Sequence, residues 1–183
     1  GEKVAIIGRI GSGKSTLHKL IVGLYRPNNG AILVDGIDVS QVDPAQLRDN
    51  IGYIPQESVL FFGNIRENIA YKHSTISDEE ILRVSHIAGV SEFVNRHPQG
   101  FERVVGERGE TLSGGQRQAI SIARGLVNSP PILLMDEPST AMDNASEAKL
   151  LSELQKELSQ RTLLMVTHKT TMLKLVDRVI VLE

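Results

Sequence analysis

The feature that most constrains the fold is an apolar segment that leads through a glycine-rich turn into a helical pattern. Residues 3–7, KVAII, are mostly apolar and stop at a glycine, which predicts a strand buried on both faces of a sheet. The turn GRIGSGKST follows at 8–16. Apolar side chains then recur at helical spacing, at Leu17, Leu20, Ile21 and Leu24. RPNNG at 26–30 is expected to end this helix, so the chain opens with a strand–turn–helix unit.

Strands and helices continue to alternate in the rest of the chain. The patterns predict further strands at 31–36 (with an Asp-Gly turn), 51–55, 132–136, 162–168 and 178–183. They predict helices at 44–50, 144–160 and 170–176, the second with Leu151, Leu154 and Leu158 on one face. Strands that alternate with helices imply an α/β fold, with a parallel sheet and right-handed crossovers.

The middle of the chain lacks this alternation. Helical periodicity runs through 64–71, 77–89 and 114–127, and Ser77 with Glu80 forms a capping-box pattern at the start of the second segment. The sequence therefore predicts a helical subdomain at 57–128, inserted between two parts of one α/β core at 1–56 and 129–183.

Composition excludes several classes of protein. The 183 residues suffice for one full-sized core. The net charge of −2 does not favour broad capture of nucleic acid, and without cysteine the chain forms neither disulfides nor thiolate metal sites. The chain contains no apolar run of the roughly 18–20 residues that span a bilayer, and no signal-peptide pattern. Both ends fall at predicted strands, so we expect the chain to be a soluble fragment of a longer protein.

The glycine-rich turn has the spacing of a phosphate-binding loop. Gly8, Gly13, Lys14 and Ser15 match the pattern G-x-x-x-x-G-K-[ST], between a predicted strand and a predicted helix. Glycines let backbone N–H groups wrap around phosphate oxygens, and the start of the helix attracts the same anion. Lys14 can neutralise the β- and γ-phosphates, and the Ser15 hydroxyl can bind Mg²⁺. A chance glycine-rich turn is the alternative, but the strand and helix around it favour nucleotide binding.

A second predicted strand ends in two carboxylates. ILLMDE at 132–137 places Asp136 where it can hold Mg²⁺, and Glu137 where it can activate a water for attack on the γ-phosphate. The alternative is an acidic pair that only ends a strand. His168 ends another predicted strand and can hydrogen-bond the γ-phosphate. The remaining histidines are expected to be ordinary surface or interface residues; they are His18, His73, His86 and His97.

A second glycine turn, LSGGQ at 112–116, identifies a family. With the phosphate-binding loop, the acidic strand and His168 in the same order, the whole chain resembles the nucleotide-binding domain of ATP-binding cassette (ABC) proteins. The resemblance implies a P-loop NTPase core with a helical subdomain, preceded in the family by antiparallel strands that are expected to be truncated here. It also implies ATP and Mg²⁺ as cofactors. Gln56 matches the family's glutamine loop, and STAMD at 139–143 the loop that ends in Asp143.

The resemblance implies a role for each matching residue. Glu137 activates water, His168 holds the γ-phosphate, Lys14 stabilises phosphoryl charge and Gln56 contacts metal or water. Metal ligands are Ser15, Gln56 and Asp136. The nucleotide-binding residues are Gly8, Arg9, Gly11, Ser12, Gly13, Lys14, Ser15, Thr16, Ser113, Gly114, Gly115, Gln116 and Asp143.

The partners follow from the same resemblance. Two such domains pair head to tail in the family, so that Ser113 and Gly115 of one chain face the ATP of the other. Residues 105–109, VGERG, resemble a loop that exporters place against their membrane domains, and Gln56 is implied in the same contact. FFGNIRENI, HPQGF and DEPSTAMDN are most similar to type I secretion exporters. Protein or peptide export at the cytoplasmic face of the inner membrane is therefore implied, with no nucleic-acid partner.

Two points depart from the family or remain open. No aromatic residue among the seven before Gly8 can stack on adenine, so weaker nucleotide binding is expected. An exporter of lipids or small molecules and an ABC ATPase without a transport role are the alternatives. Short helices without sustained heptads at 57–128 argue against the coiled-coil DNA-repair type. A single cassette without a basic linker argues against a ribosome-binding module, and Glu137 with His168 against a non-hydrolysing one.

Overall fold

The computed structural model describes residues 1–71 and 75–183. In this part of the chain, a parallel sheet contains the strands β1 (Lys3–Gly8), β4 (Ile51–Ile54), β5 (Ile132–Asp136), β6 (Thr162–Val166) and β7 (Arg178–Leu182). Their order in the sheet is β4-β5-β6-β1-β7. The helices are α1 (Lys14–Ile21), α2 (Pro44–Asp49), α3 (Ile65–Ala70), α4 (Asp78–Ala88), α5 (Val90–Val94), α6 (Gly114–Leu126) and α7 (Asn144–Glu157). The predicted α/β class with a parallel sheet is confirmed.

The register of the sheet places three predicted functional segments at one edge. Ile6 of β1 and Asp136 of β5 both pair with Val166 of β6, so the carboxyl ends of these strands are level. The phosphate-binding loop, the acidic pair and His168 each follow one of these ends. Crevices outside the carboxyl ends of parallel strands are where open α/β sheets bind ligands.

One core joins the sheet to the helices that lie between β4 and β5. Ile54 and Met135 of the sheet belong to the same buried cluster as Val84 of α4 and Ile122 of α6. Helix α6 approaches β4 so closely that a Cβ on Gly52 would lie 2.1 Å from the carbonyl oxygen of Gly125. Two glycines thus seat α6 directly on the sheet. The predicted boundaries of the helical subdomain remain a prediction.

The most buried side chains of helix α1 are not those of its apolar pattern. Lys14, His18 and Val22 are buried, whereas Leu24 is 55% exposed and Leu17 only half-buried. The helix ends at Ile21, before the predicted RPNNG stop, because the chain turns at Gly23 with a φ of 69°. Lys14 is directed inward by the phosphate-binding loop, and residues one and two turns further on share its face.

His18 is fully buried, so its predicted surface or interface position is wrong. His86 is exposed and His97 half-buried, while His73 lies outside the described residues. The reason for the error is the same inward face of α1, which apolar periodicity alone does not reveal.

Smaller differences concern single elements. The predicted strand at 31–36 forms β2 (Leu33–Val34), which pairs with β3 (Ile37–Asp38) in a separate antiparallel hairpin. The predicted helix at 170–176 is a 3₁₀ turn, Met172–Leu175. Ser77 caps α4 by accepting from the Glu80 N–H, but the reciprocal half of the capping box is not formed. The Glu80 carboxylate instead accepts from Arg83 and from the Asn128 N–H.

No helix in the described ranges is both long and apolar enough to cross a bilayer.

Candidate active site

The phosphate-binding loop is shaped by three glycines with different tasks. A Cβ on Gly8 would lie 2.4 Å from the Leu182 carbonyl oxygen, so β1 and β7 need glycine there for close approach. Gly11 and Gly13 have open space around them but φ values of 87° and 92°, which side chains disfavour. Lys14 Nζ donates to the carbonyl oxygens of Gly8 and Arg9, each at 2.8 Å. The loop therefore holds its ammonium group before any ligand arrives.

A cavity of about 620 Å³ opens at this edge of the sheet, within the usual size range of small-molecule sites. Predicted catalytic and metal residues from four separate segments meet there. Its lining includes Lys14, Ser15, Gln56, Asp136, Glu137 and His168. Gly11, Gly13 and Thr16 also line it, while Gly8 and Arg9 line a neighbouring recess. The Ser12 hydroxyl is buried, with no hydrogen-bond partner among the described residues.

Asp136 and Ser15 suit a magnesium ion that also binds phosphate. Asp136 is 3% exposed, at the last position of β5, and Ser15 lies in the same cavity. Among the described residues, no cluster of three or more histidine, cysteine or acidic side chains could hold a metal by itself. Mg²⁺ commonly uses one or two protein oxygens and completes its shell with water and substrate phosphate. The residues present fit such an ion.

Glu137 is held in a strained backbone conformation with part of its carboxylate free. Its φ is 50°, and its N–H donates to the Val166 carbonyl oxygen at 2.9 Å. Oε1 is buried, with no hydrogen-bond partner in the part of the chain that the structure describes. It lies 3.5 Å from Nε2 of His168, too far for a good hydrogen bond. Glu137 lines the cavity, and His168, whose side chain is 56% exposed, lies next to this oxygen.

The second glycine turn faces another cavity. Ser113 caps α6: its Oγ accepts from the Gln116 N–H at 3.2 Å, and its own N–H donates to Gln116 Oε1 at 3.0 Å. The Gln116 side chain thus forms a hydrogen bond with the first residues of its own helix. Ser113, Gly114, Gly115 and Gln116 line a cavity of about 430 Å³ with Asp143. Asp143 caps α7 by accepting from the Ser146 N–H at 2.8 Å, which lowers the pKa of its carboxyl group. Within one chain the structure does not bring the two glycine turns to the same cavity.

The loop at 105–109 is fastened to α6, the helix that begins within the LSGGQ signature at 112–116 and is called the signature helix below. Val105 and Gly109 are buried, and Glu107 and Arg108 between them are exposed. Arg117 of α6 donates to the carbonyl oxygens of Leu112 at 2.7 Å and Gly109 at 3.4 Å. The loop therefore presents two charged side chains outward from a base that α6 holds.

Comparison with known proteins decides the family. The ABC transporter family model matches residues 1–140. This chain belongs to the ABC transporter family. The recognition made from LSGGQ and the phosphate-binding loop is confirmed, and so is the P-loop α/β fold.

Individual relatives of this ABC chain carry more specific names. Leukotoxin translocation ATP-binding proteins LktB from Mannheimia glucosida and Bibersteinia trehalosi are each 44% identical to it over 183 residues. These matches cover all of this chain and 26% of each relative, so the chain spans about a quarter of their length. A solved structure of a bacterial Atm1-family ABC exporter with ATP bound is 41% identical, with a TM-score of 0.95. That match covers all of this chain and 32% of the exporter chain.

Sequence reasoning missed several residues around this ABC site. Thr140 and Lys169 line the cavity although neither was predicted to. Lys169 follows His168 directly and Thr140 lies within STAMD, so proximity to predicted residues was the available signal. Gln118, two residues beyond the signature, contacts the backbone of Glu137, and nothing in the sequence pattern indicated that contact.

Proposed function

We propose that this ABC domain binds ATP with Mg²⁺ and hydrolyses it to drive export across a membrane. The observation that carries the proposal is the buried Oε1 of Glu137, which has no hydrogen-bond partner among the described residues, while Glu137 lines a cavity with Lys14, Asp136 and His168. A carboxylate oxygen that accepts no hydrogen bond from the protein can accept a proton from a water molecule that comes within hydrogen-bond distance. The name of the solved relative, an exporter with ATP bound, supports the choice of nucleotide.

The residues act mainly by position and charge. The N–H groups of the phosphate-binding loop and the start of α1 hold the phosphates, and Lys14 compensates the charge that develops on the γ-phosphoryl group. Ser15 and Asp136 would hold the Mg²⁺, which neutralises phosphate charge, with Gln56 close to metal or water. Glu137 takes a proton from the attacking water, and His168 hydrogen-bonds the γ-phosphate. Because the site faces a wide opening, a second surface is needed to exclude bulk water.

A second copy supplies that surface in this proposal. The signature residues Ser113 and Gly115 and the neighbouring Asp143 form another cavity of the same chain, away from Lys14. In a head-to-tail pair, each signature would cover the phosphate-binding loop of the other chain. The start of α6 then offers N–H groups and a hydroxyl to the γ-phosphate and loses that partner after hydrolysis. We propose that residues 57–128 form the helical subdomain that carries this signature, between core parts 1–56 and 129–183.

The exported cargo and the membrane contact follow from the relatives. Two of them are leukotoxin translocation proteins, which supports export of a protein or peptide in the manner of type I secretion. Membrane domains outside this chain would bind the regions of Gln56 and 105–109 and place the domain at the cytoplasmic face of the inner membrane. Arg117 would carry movement of that loop to the signature helix. The name of the solved Atm1-family exporter specifies no protein cargo, so export of small molecules or lipids is the second candidate.

The test of this proposal replaces the base without changing its size. Glu137→Gln should lower ATP turnover about 10²–10⁴-fold, the range of general base catalysis, while ATP binding persists. Glu79→Gln, an exposed residue on α4, is the matched control and should hydrolyse ATP at the parent rate. Turnover of Glu137→Gln equal to that of the parent would exclude Glu137 as the base. Transport of a peptide but not of a lipid by the complete protein in vesicles separates the two cargo candidates.

A further inference from the structure

The turn after β5 is stabilised by hydrogen bonds within the turn and by a hydrogen bond from another element. Glu137 has a φ of 50°, a conformation that non-glycine residues keep only where the surroundings enforce it. Its carbonyl oxygen accepts from the N–H of Thr140 at 3.3 Å and from the Thr140 hydroxyl at 3.2 Å. These local bonds close the turn. A third bond to the same oxygen comes from another element.

That third donor is the side-chain amide of Gln118 on α6. Gln118 Nε2 donates to the Glu137 carbonyl oxygen at 3.1 Å, and Gln118 Oε1 accepts from the Ala141 N–H at 2.8 Å. A backbone N–H only donates and a carbonyl oxygen only accepts, so the two partners fix the orientation of the amide. Gln118 is 1% exposed, which shields both bonds from water. One side chain thus bridges the two ends of the turn that carries the base.

The same helix packs its signature against this turn. A Cβ on Gly115 would lie 3.0 Å from the Ala141 carbonyl oxygen, and one on Gly114 would lie 3.5 Å from the Ala141 side chain. Gln118 lies on α6, which Ser113 caps. The signature and the turn at 137–141 therefore touch along the helix start, and Gln118 links them by hydrogen bonds.

We infer that Gln118 is a positioning residue for Glu137: it fixes the backbone turn that aims the carboxylate and ties that turn to the chain's own signature. This inference rests on the proposed function, in which Glu137 is the base. Since the signature faces the partner's ATP in that proposal, Gln118 joins the two half-sites that one chain contributes. Its loss should affect the chemical step more than ATP binding, because no phosphate contact is removed.

Two variants separate the two hydrogen bonds. Gln118→Glu keeps an acceptor for the Ala141 N–H but places a carboxylate oxygen against the Glu137 carbonyl oxygen. Gln118→Met has a similar length and removes both bonds. We expect each to lower kcat for ATP about 10–100-fold, by analogy with the loss of side chains that orient metal ligands. KM for ATP should stay within about twofold, since uniform binding is unchanged.

Ser121→Ala is the matched control, because Ser121 is a buried polar residue on the same helix, 3% exposed. Its kcat should equal that of the parent. Circular dichroism and thermal unfolding identify any variant that does not fold. If Gln118→Met is lost in this way, Gln118→Glu carries the test alone.

A double mutant tests whether Gln118 acts through Glu137. In single-turnover measurements, Gln118→Met should add nothing to the loss caused by Glu137→Gln. Additive losses, or a parental kcat in folded Gln118 variants, would overturn the inference while leaving the proposed function intact. If Glu137→Gln itself hydrolyses ATP at the parent rate, both are overturned.

Discussion

At the scale of single residues, His18 is the least expected side chain. It lies fully buried on α1, four residues after Lys14, and packs edge-on against the Tyr53 ring at a centroid distance of 6.0 Å. Neither ring nitrogen has a hydrogen-bond partner within the described residues. Burial lowers the pKa of His18 to about 4, although the nearby Asp136 charge acts in the opposite direction. The imidazole is therefore neutral in the folded protein at physiological pH.

This burial predicts a stability that depends on pH. Between about pH 6.5 and 4 the unfolded chain binds a proton at His18 that the folded chain does not, so stability falls as pH falls through that range. The loss from this residue should reach about 2 kcal/mol at pH 5 relative to pH 8. Urea unfolding of the parent and of His18→Leu at both pH values measures the difference. His18→Leu should gain relative stability at pH 5, and an equal difference at both pH values would contradict the assignment.

At the scale of elements, an ion pair between a buried carboxylate and a partly exposed lysine ties α7 to the segment after β6. The Glu147 carboxylate of α7 is 6% exposed and accepts from Lys169 and from the Thr171 hydroxyl. Lys169 also donates to the Ser139 carbonyl oxygen at 2.8 Å. The segment that carries His168 is thereby fastened to the loop that follows Glu137. A lysine of α7, Lys149, pairs instead with Glu92 at the surface.

Removing the charge of Lys169 should lower the free energy of unfolding far more than removing that of Lys149. Lys169→Met leaves the buried Glu147 carboxylate without its cation, and we expect the free energy of unfolding to fall by about 1–3 kcal/mol. Lys149→Met, the matched control, breaks only an exposed pair and should change stability little. Chemical denaturation of both variants measures the effect. Equal decreases in the free energy of unfolding for the two variants would show that the burial of Glu147 does not strengthen its ion pair.

At the scale of the whole molecule, the phosphate-binding loop and the LSGGQ signature of one chain face different cavities. Lys14 and Glu137 line one, and Ser113 with Asp143 lines the other. A 13-residue helix and the turn after β5 connect them through the core. This geometry suits a head-to-tail pair, in which each nucleotide is enclosed by two chains.

A mixture of two inactive variants tests the pairing. Lys14→Ala and Ser113→Arg each break both composite sites of a homodimer. In a mixed dimer, one site collects both lesions and the other combines an intact phosphate-binding loop with an intact signature. ATP retention should therefore recover to one site per mixed dimer. Retention is the better measure, because coupling between sites can silence hydrolysis even at an intact site. With mixed dimers verified independently, retention no higher than in the separate variants would contradict a shared site.

The sequence alone determined the family, the sheet and the phosphate-binding loop, because these depend on local rules. Each of these signals lies within a few neighbouring residues. They are glycines at fixed spacing, a lysine at the start of a helix and carboxylates after an apolar strand. Lys14, Asp136, Glu137 and His168, which the sequence predicts around one nucleotide, line one cavity in the structure.

Only the tertiary structure decided which side chains support that cavity. The buried face of α1, the burial of His18 and the bridge from Gln118 to Glu137 arise where elements distant in sequence meet. Gln118 lies 19 residues before Glu137, and their contact exists because Gly52 and Gly125 let α6 rest on the sheet. A periodic pattern reports which face of a helix is apolar, but not which polar group lies opposite it. The packing of the elements determines it, since a buried amide is stable only where the fold supplies its hydrogen-bond partners.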